Sequence, residues 1–163
     1  MSSHAHLDDS CLFCKIIKGQ IPSMKLLETD KVYGFLDIGP IAPKHALVIP
    51  KYHGKTVKDI PDDYLAEVVP ALKKIALASG EENFNLLANA GSIAHQVVDH
   101  LHFHFIPKPN EQEGLGVGWP ATKPAKEELE KVSEKLNTLI VLICAHDFDS
   151  LPHQIYNELK QKL

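Results

Sequence analysis

The sequence predicts an α+β fold on three observations: stretches of strand character that mostly follow one another, two long segments of helical periodicity set apart from them, and one stretch of strict alternation. That last stretch is Asp99–Pro107, where His100, His102 and His104 alternate with Leu101, Phe103 and Phe105. This is the period of a half-buried strand. At a rise of about 3.3 Å per residue, the three imidazoles are expected in a row about 13 Å long on one face, with the apolar residues turned into a core. Histidines at i and i+2 can share one metal ion, whereas the outer two stand too far apart to join them easily. The three are therefore expected to divide the labour.

The other elements follow in order. Cys11–Lys18 reads as a short helix with Gly19 as its C-terminal cap, and Cys11 and Cys14, three apart, share one of its faces. Lys31–Leu36 reads as a strand ended by Asp37-Ile38-Gly39-Pro40, and His45–Ile49 as a second strand closed by Pro50, with His53 just beyond. Pro61-Asp62-Asp63 opens a helix whose apolar residues are Leu65, Val68, Val69, Leu72, Ile75 and Ala76. Pro70 inside it costs about 3 kcal/mol and predicts a kink near Val69, or a later start. Phe84–Ala88 reads as a strand leading to Asn89-Ala90-Gly91. Beyond the histidines, prolines and glycines from Pro107 to Pro124 make a long irregular connection that carries Trp119. From Lys126 the pattern is helical again, with Leu129, Val132, Leu136, Leu139, Ile140 and Ile143 on one stripe. Cys144, on that stripe, is expected in the core, and a last short helix is expected after Pro152.

A chain of 163 residues suits one core burying roughly 70% of its unfolded surface. Hydrophobic residues make up 44%, charged residues 23%, and the formal net charge is −4, so nothing suggests a nucleic-acid surface. All 17 basic residues are lysines. Any phosphate site must therefore use histidine, lysine and backbone N–H groups without a guanidinium fork. Met1–Ser10 has no apolar segment of a secretory signal, and the longest apolar run, Leu139–Ala145, is far short of the roughly 20 residues of a membrane span. The expected setting is cytoplasmic or nuclear, with no membrane partner. Three cysteines there do not make a disulfide framework. On spacing alone, Cys11-X-X-Cys14 is either half of a four-ligand metal site or a buried helix face, and no thioredoxin-like βαβ unit surrounds it to favour a redox dithiol.

Taken together, Cys11–Ile17, Phe35–Ile38, Leu47–His53, Asn89–Gly91 and Gln96–Pro107 resemble the histidine-triad (HIT) superfamily of nucleotide hydrolases and transferases, in the family order. Within it the chain looks most like the Hint branch, whose members hydrolyse purine nucleoside phosphoramidates; the uridylyltransferase branch has Gln where this chain has His104. The resemblance implies an antiparallel sheet of about five strands with two main helices. A flexible stretch is expected over 1–10, the HIT domain that the resemblance implies over 11–120, and, from the helical pattern beyond Lys126, a helical extension over 121–163 packed on it. The resemblance also implies a homodimer, to which the exposed edge of a small sheet adds its own motive.

By the same carry-over, His102 attacks the α-phosphorus to form a nucleotidyl-histidine that water cleaves, and His104 contacts the phosphoryl oxygens. Asp37 holds the ribose, Phe35 and Ile38 line the base pocket, and His45, Asn89, Gln96 and position 97 surround the phosphate. His53 and His100 join Cys11 and Cys14 around a structural zinc. Two departures from the family stand out: His95 in Ala94-His95-Gln96, where Gly is usual, and Val97, where the Hint branch often has a serine. Valine offers the leaving group no hydroxyl. Three competing readings stay open on the sequence: a dinucleoside polyphosphate hydrolase, a nucleotide-binding scaffold with weak catalysis, and a metallohydrolase with a catalytic metal on His100 and His102.

Overall fold

The structure, a computed structural model, describes residues 6–145; the helix expected after Pro152 lies outside them. The chain divides into two units between Val117 and Gly118. In the first unit, α1 (Leu12–Ile17) is followed by β1 (Lys25–Glu28), β2 (Val32–Leu36), β3 (Ala46–Pro50), α2 (Asp62–Ser79), β4 (Phe84–Leu87) and β5 (Phe103–Pro107). The five strands form one sheet in the order β1-β2-β3-β5-β4, every neighbouring pair antiparallel. The α+β expectation and the count of about five strands both hold.

Alternation assigns each strand residue to one of two cores. Val32, Ala46, Val48 and Phe105 meet Val68, Ala71, Leu72 and Ile75 of α2 on one face. Tyr33, Phe35, Leu47 and Ile49 meet Phe13 and Ile16 of α1 on the other. With both faces covered, β2 and β3 need apolar residues at every position, and this is why they read as continuous runs. β1 is absent from the sequence reading because Lys25-Leu26-Leu27-Glu28 has no alternation. It is a charged edge strand with a register shift between Lys25 and Leu27, held by pairing to β2 and by Glu28 ion pairs to Lys25 and Lys51.

α1 ends as expected, with Gly19 at φ +71° one residue past the Lys18 cap. α2 starts where its pattern starts and runs on through Pro70, so the delayed start is not seen. Pro70 lies on the exposed side, among Val69 and Leu77. On that side the carbonyl one turn earlier, which loses its partner to the missing proline N–H, is near solvent and costs less than it would in a core. Between β5 and α3 there is no regular element, and Trp119 stands 85% exposed in that connection.

The second unit contains α3 (Lys126–Ala145), with Glu127 and Glu128 in the first turn, where the helix dipole favours acids. Its stripe is present, and Leu129, Val132, Leu136 and Ile140 are exposed. Cys144 is also exposed, one turn after Ile140, which corrects the expectation of a core thiol.

One close approach matters for the site. A Cβ at Gly54 would lie 2.6 Å from Ile60 Cδ1 and 3.0 Å from the Asp59 carbonyl oxygen, so the loop after β3 folds tightly only with glycine there. The Gly54→Ala protein is expected to lose about 1–3 kcal/mol of stability in urea denaturation through overpacking; an unchanged midpoint would contradict this reading of the loop.

Candidate active site and metal centre

The β3–β5 ladder pairs Ala46 with Phe105, Leu47 with His104 and Val48 with Phe103, and it stops there. Pro50 has no N–H with which to continue it. The Leu101 N–H instead donates to the Gly54 carbonyl at 2.7 Å, and the His100 N–H to Val98 O at 2.8 Å. The strand expected to carry all three histidines is thus shorter: only His104 lies in it, and His100 and His102 stand on the bent approach. Leu101 and Phe105 are buried as predicted, with Phe103 packed against the α2-side core.

Freed from the ladder, the three histidines face three surroundings. His102 is buried against the Phe13 ring at 5.3 Å between centroids, and its Nδ1 lies 2.7 Å from the His100 carbonyl oxygen. A carbonyl only accepts, so Nδ1 carries the proton and Nε2 keeps its lone pair. The His104 ring lies 5.0 Å from that of His102, and its Nδ1 is 3.0 Å from His45 Nε2. The Ile41 N–H donates to His45 Nδ1 at 3.3 Å. The protons are then determined along the chain: His45 Nδ1 accepts, His45 Nε2–H donates to His104 Nδ1, and His104 carries its proton on Nε2. Burial lowers the pKa of His45 and pushes that of His104 down to about 4, where the neighbouring His102 and His45 add to the effect and Asp37 opposes it. The site therefore pairs a lone-pair nitrogen on His102 with a neutral N–H donor on His104.

Among the described residues, two groups of side chains converge closely enough to hold a metal ion: Cys11, Cys14, His53 and His100, and Asp37, His45 and His104. Proton placement separates them. In the first, His100 is completely buried and its Nε2 donates to Pro50 O at 2.9 Å, leaving the Nδ1 lone pair facing the cysteines. His100 Nδ1 lies 3.6 Å from Cys11 Sγ and 3.5 Å from Cys14 Sγ, and His53 Nδ1 lies 3.4 Å from Cys14 Sγ. Zinc with bonds of about 2.3 Å to sulfur and 2.0–2.1 Å to nitrogen has tetrahedral S···N edges of about 3.5 Å, so this donor set fits a closed four-ligand ion. The Asp8 carboxylate stands 3.9 Å from His53 Nε2, on the far side of that ring. Burial pushes the Cys14 thiol up to about 12 and His100 down to about 4. A thiolate there needs a cation beside it. In the second group the Ile41 bond obliges His45 Nε2 to keep its proton, so that nitrogen is closed to a metal.

The remaining residues singled out in the sequence are placed as follows. Asp37 accepts from the Gly39 N–H at 2.8 Å and holds its other oxygen 3.6 Å from His45 Nε2. Phe35 is packed in the α1-side core, whereas Ile38 is 88% exposed. Asn89 donates to the His95 carbonyl at 3.4 Å. The Gln96 amide braces its loop: Oε1 accepts from Gly91 N–H, and Nε2 donates to the carbonyls of Lys55 and Val98. Val97 is 90% exposed, and His95 is exposed at φ +65°. Groups that sequence reasoning missed are mainly backbone: the carbonyls of Pro50 and His100 and the Ile41 N–H. Phe13, which packs edge-on against both His100 and His102, and Asp8 are the missed side chains.

Comparison with known proteins follows this geometry. The family model described as HIT domain matches residues 18–111. The adenosine 5'-monophosphoramidase HNT1 of Candida albicans is 56% identical over 144 residues, covering 83% of this chain and 92% of that protein. The adenosine 5'-monophosphoramidase HNT1 of Saccharomyces cerevisiae is 53% identical over 136 residues, covering 83% and 86%. A crystal structure of a histidine triad nucleotide-binding protein from Candida albicans superposes with a TM-score of 0.78 at 52% identity, covering 82% of this chain and 99% of that one. With its three histidines at the end of β3's partner strand and this match across most of the fold, the chain belongs to the HIT domain family.

Proposed function

We propose that the chain is a hydrolase of purine nucleoside phosphoramidates, cleaving the P–N bond of a compound such as adenosine 5'-phosphoramidate to the nucleoside monophosphate and an amine. The observation that carries the reading is the 2.7 Å bond from His102 Nδ1–H to the His100 carbonyl, which presents Nε2 as the nucleophile. The names of the two fungal relatives, both adenosine 5'-monophosphoramidases, support the substrate class.

The steps follow from the proton placement. The His102 Nε2 lone pair attacks the α-phosphorus as the P–N bond breaks, and the amine leaves with the bonding pair and takes up a proton from solvent, which the later loss of a proton by the attacking water returns. The Nδ1–H bond to the His100 carbonyl stabilises the positive charge that the ring acquires. His104 Nε2–H donates to a non-bridging phosphoryl oxygen, and its neutral state keeps it a donor that does not repel the charged His102. Water then attacks phosphorus, loses a proton, and the P–Nε2 bond returns its pair to His102. Asp37 is read as the ribose contact, Ile38 as part of the base pocket with Phe35 beneath it, and Asn89, Gln96 and Val97 as belonging to loops around the phosphate. Gln96 acts there by bracing the loop. A structural zinc on Cys11, Cys14, His53 and His100 completes the reading; it supplies cross-linking and leaves the chemistry to His102 and His104.

A homodimer is part of the proposal. β4 is one sheet edge, with Phe84 and Leu86 exposed on it beside Val69 and Leu77 of α2, in a groove of about 340 Å³. An uncovered apolar edge strand favours pairing with a second copy. No helix among the described residues is long and apolar enough to cross a membrane, and a cytoplasmic or nuclear setting stays part of the same proposal.

Three outcomes are expected. Rapid quenching at alkaline pH of a reaction with labelled phosphoramidate should trap label on His102, and His102→Gly should lose label and turnover while still binding nucleotide; full turnover by that variant would rule out the covalent route. His104 takes up a proton near pH 6.5 when unfolded but only near pH 4 when folded, so its contribution to stability is complete above pH 6.5 and is lost as pH falls toward 4. Denaturation at pH 7 and pH 5 should show a loss of about 1–2 kcal/mol that shrinks in His104→Asn. Sedimentation should show a dimer at micromolar concentration, and Leu86→Glu should shift it toward monomer; a monomeric wild type contradicts the edge assignment.

A further inference from the structure

We propose that His100 is a positioning residue through which a metal ion on Cys11, Cys14, His53 and His100 sets the ring tautomer of His102, so that metal occupancy raises the fraction of enzyme carrying a competent nucleophile. The inference rests on the reading of His102 and of the metal site given above, and goes beyond a structural zinc.

The starting point is that His102 lies outside the sheet ladder. Its place is determined by ties between its own segment and the loop after β3. Three of these ties are on hand without any ion: Leu101 N–H to Gly54 O at 2.7 Å, Gln96 Nε2 to Lys55 O at 2.6 Å, and the Lys55–Asp99 ion pair at 2.9 Å. The fourth runs through the rings of His53 and His100, whose centroids are 5.3 Å apart and edge-on. These rings meet at the cysteine sulfurs. Without an ion, His100 Nδ1 faces only thiols at 3.5–3.6 Å, and thiols are weak donors. With an ion, that nitrogen gains a bond of defined length and direction, while Nε2 keeps its bond to Pro50 O.

His100 then carries two roles on one residue. Its ring faces the metal, and its carbonyl holds the His102 Nδ1 proton. Movement of the residue takes the carbonyl with it. A His102 that has lost this acceptor is free to place its proton on either nitrogen, and the Nε2–H form carries its lone pair on Nδ1 instead of on the nitrogen that attacks phosphorus. Phe13 touches both rings edge-on, at 5.9 Å to His100 and 5.3 Å to His102, so the two histidines also share a packing partner on α1, the helix that begins at the metal-binding cysteines.

The ion can be reached without unfolding. A cleft of about 440 Å³ beside the cluster is lined by Cys11 and His53 themselves, with Asp8 and Asp99 on its walls. The Asp8 carboxylate on this wall favours the approach of a cation, whereas Asp99 is paired with Lys55.

The test uses the full chain, stripped by chelation, labelled with ¹⁵N-histidine and titrated with zinc at one fixed pH. Elemental analysis, melting temperature, the His102 ring ¹⁵N shifts and the single-turnover rate of nucleotide transfer to His102 are read at each step. The expected result is that His102 passes from a mixed to a single Nδ1–H tautomer in proportion to bound zinc, with a rate gain of about tenfold, the lower end of what outer-shell changes produce. Cys11→Ser/Cys14→Ser should show neither response, and the wild-type titration stands by itself if that variant folds poorly. Bound zinc that raises the melting temperature but leaves the His102 shifts where they were overturns the coupling and leaves the structural zinc intact. A rate gain without a tautomer change also overturns it. Absence of stoichiometric zinc overturns both, whereas label on His102 at an unchanged rate in the stripped protein keeps the nucleophile and removes only the metal link.

Discussion

A single hydrogen bond, from His102 Nδ1 to the His100 carbonyl, decides which nitrogen of the central histidine is available for chemistry. Much of the surrounding structure serves to keep that carbonyl in place. Pro50 ends the ladder and turns its own carbonyl to the His100 ring; Gly54 lets the following loop close tightly enough to accept from Leu101; Gln96 spans from its own loop to Lys55. Each of these is a backbone carbonyl receiving a donor, the main-chain N–H of Leu101 in one case and the side chains of His100 and Gln96 in the others.

The two-sided sheet supplies the rigid frame. His104 lies within the ladder, opposite Leu47 on one side and Leu87 on the other, and it is held as strand residues are held. His102 depends on loops. The two histidines to which the proposed mechanism gives the phosphoryl oxygen and the attack on phosphorus therefore have different mechanical supports, one cooperative with the whole sheet and one local. Burial without a nearby acid strong enough to offset it keeps His104 and His45 neutral, which suits a relay of single protons rather than a cluster of positive charge.

Much of this was legible in the sequence because both periodicity and spacing carried it. β2, β3, β4, α1 and α2 announce themselves through apolar runs or helical recurrence, and the histidine alternation correctly foretold that the three rings would part company. β1 was not legible, since two adjacent leucines between opposite charges have no period, and its strand character comes from pairing with β2. The length of β5 was misread for a related reason: alternation continues through His100 and His102, but hydrogen bonding stops where Pro50 has no donor. Cys144 was assigned to a core by its helical stripe, which reports only amphipathicity and not whether a partner covers the face. The proton chain from Ile41 through His45 to His104 was invisible because its first donor is a main-chain N–H.

The contacts that hold the His100 and His102 segment are also long-range in sequence. His100 reaches Pro50 across 50 residues, Cys14 across 86 and Cys11 across 89. Contacts of such separation carry a loop-closure cost that local contacts do not. On the proposed mechanism, a chain in which these contacts are open has His102 without the carbonyl that fixes its proton. Covalent labelling of that histidine by substrate then doubles, on the same mechanism, as a report that these distant contacts are closed.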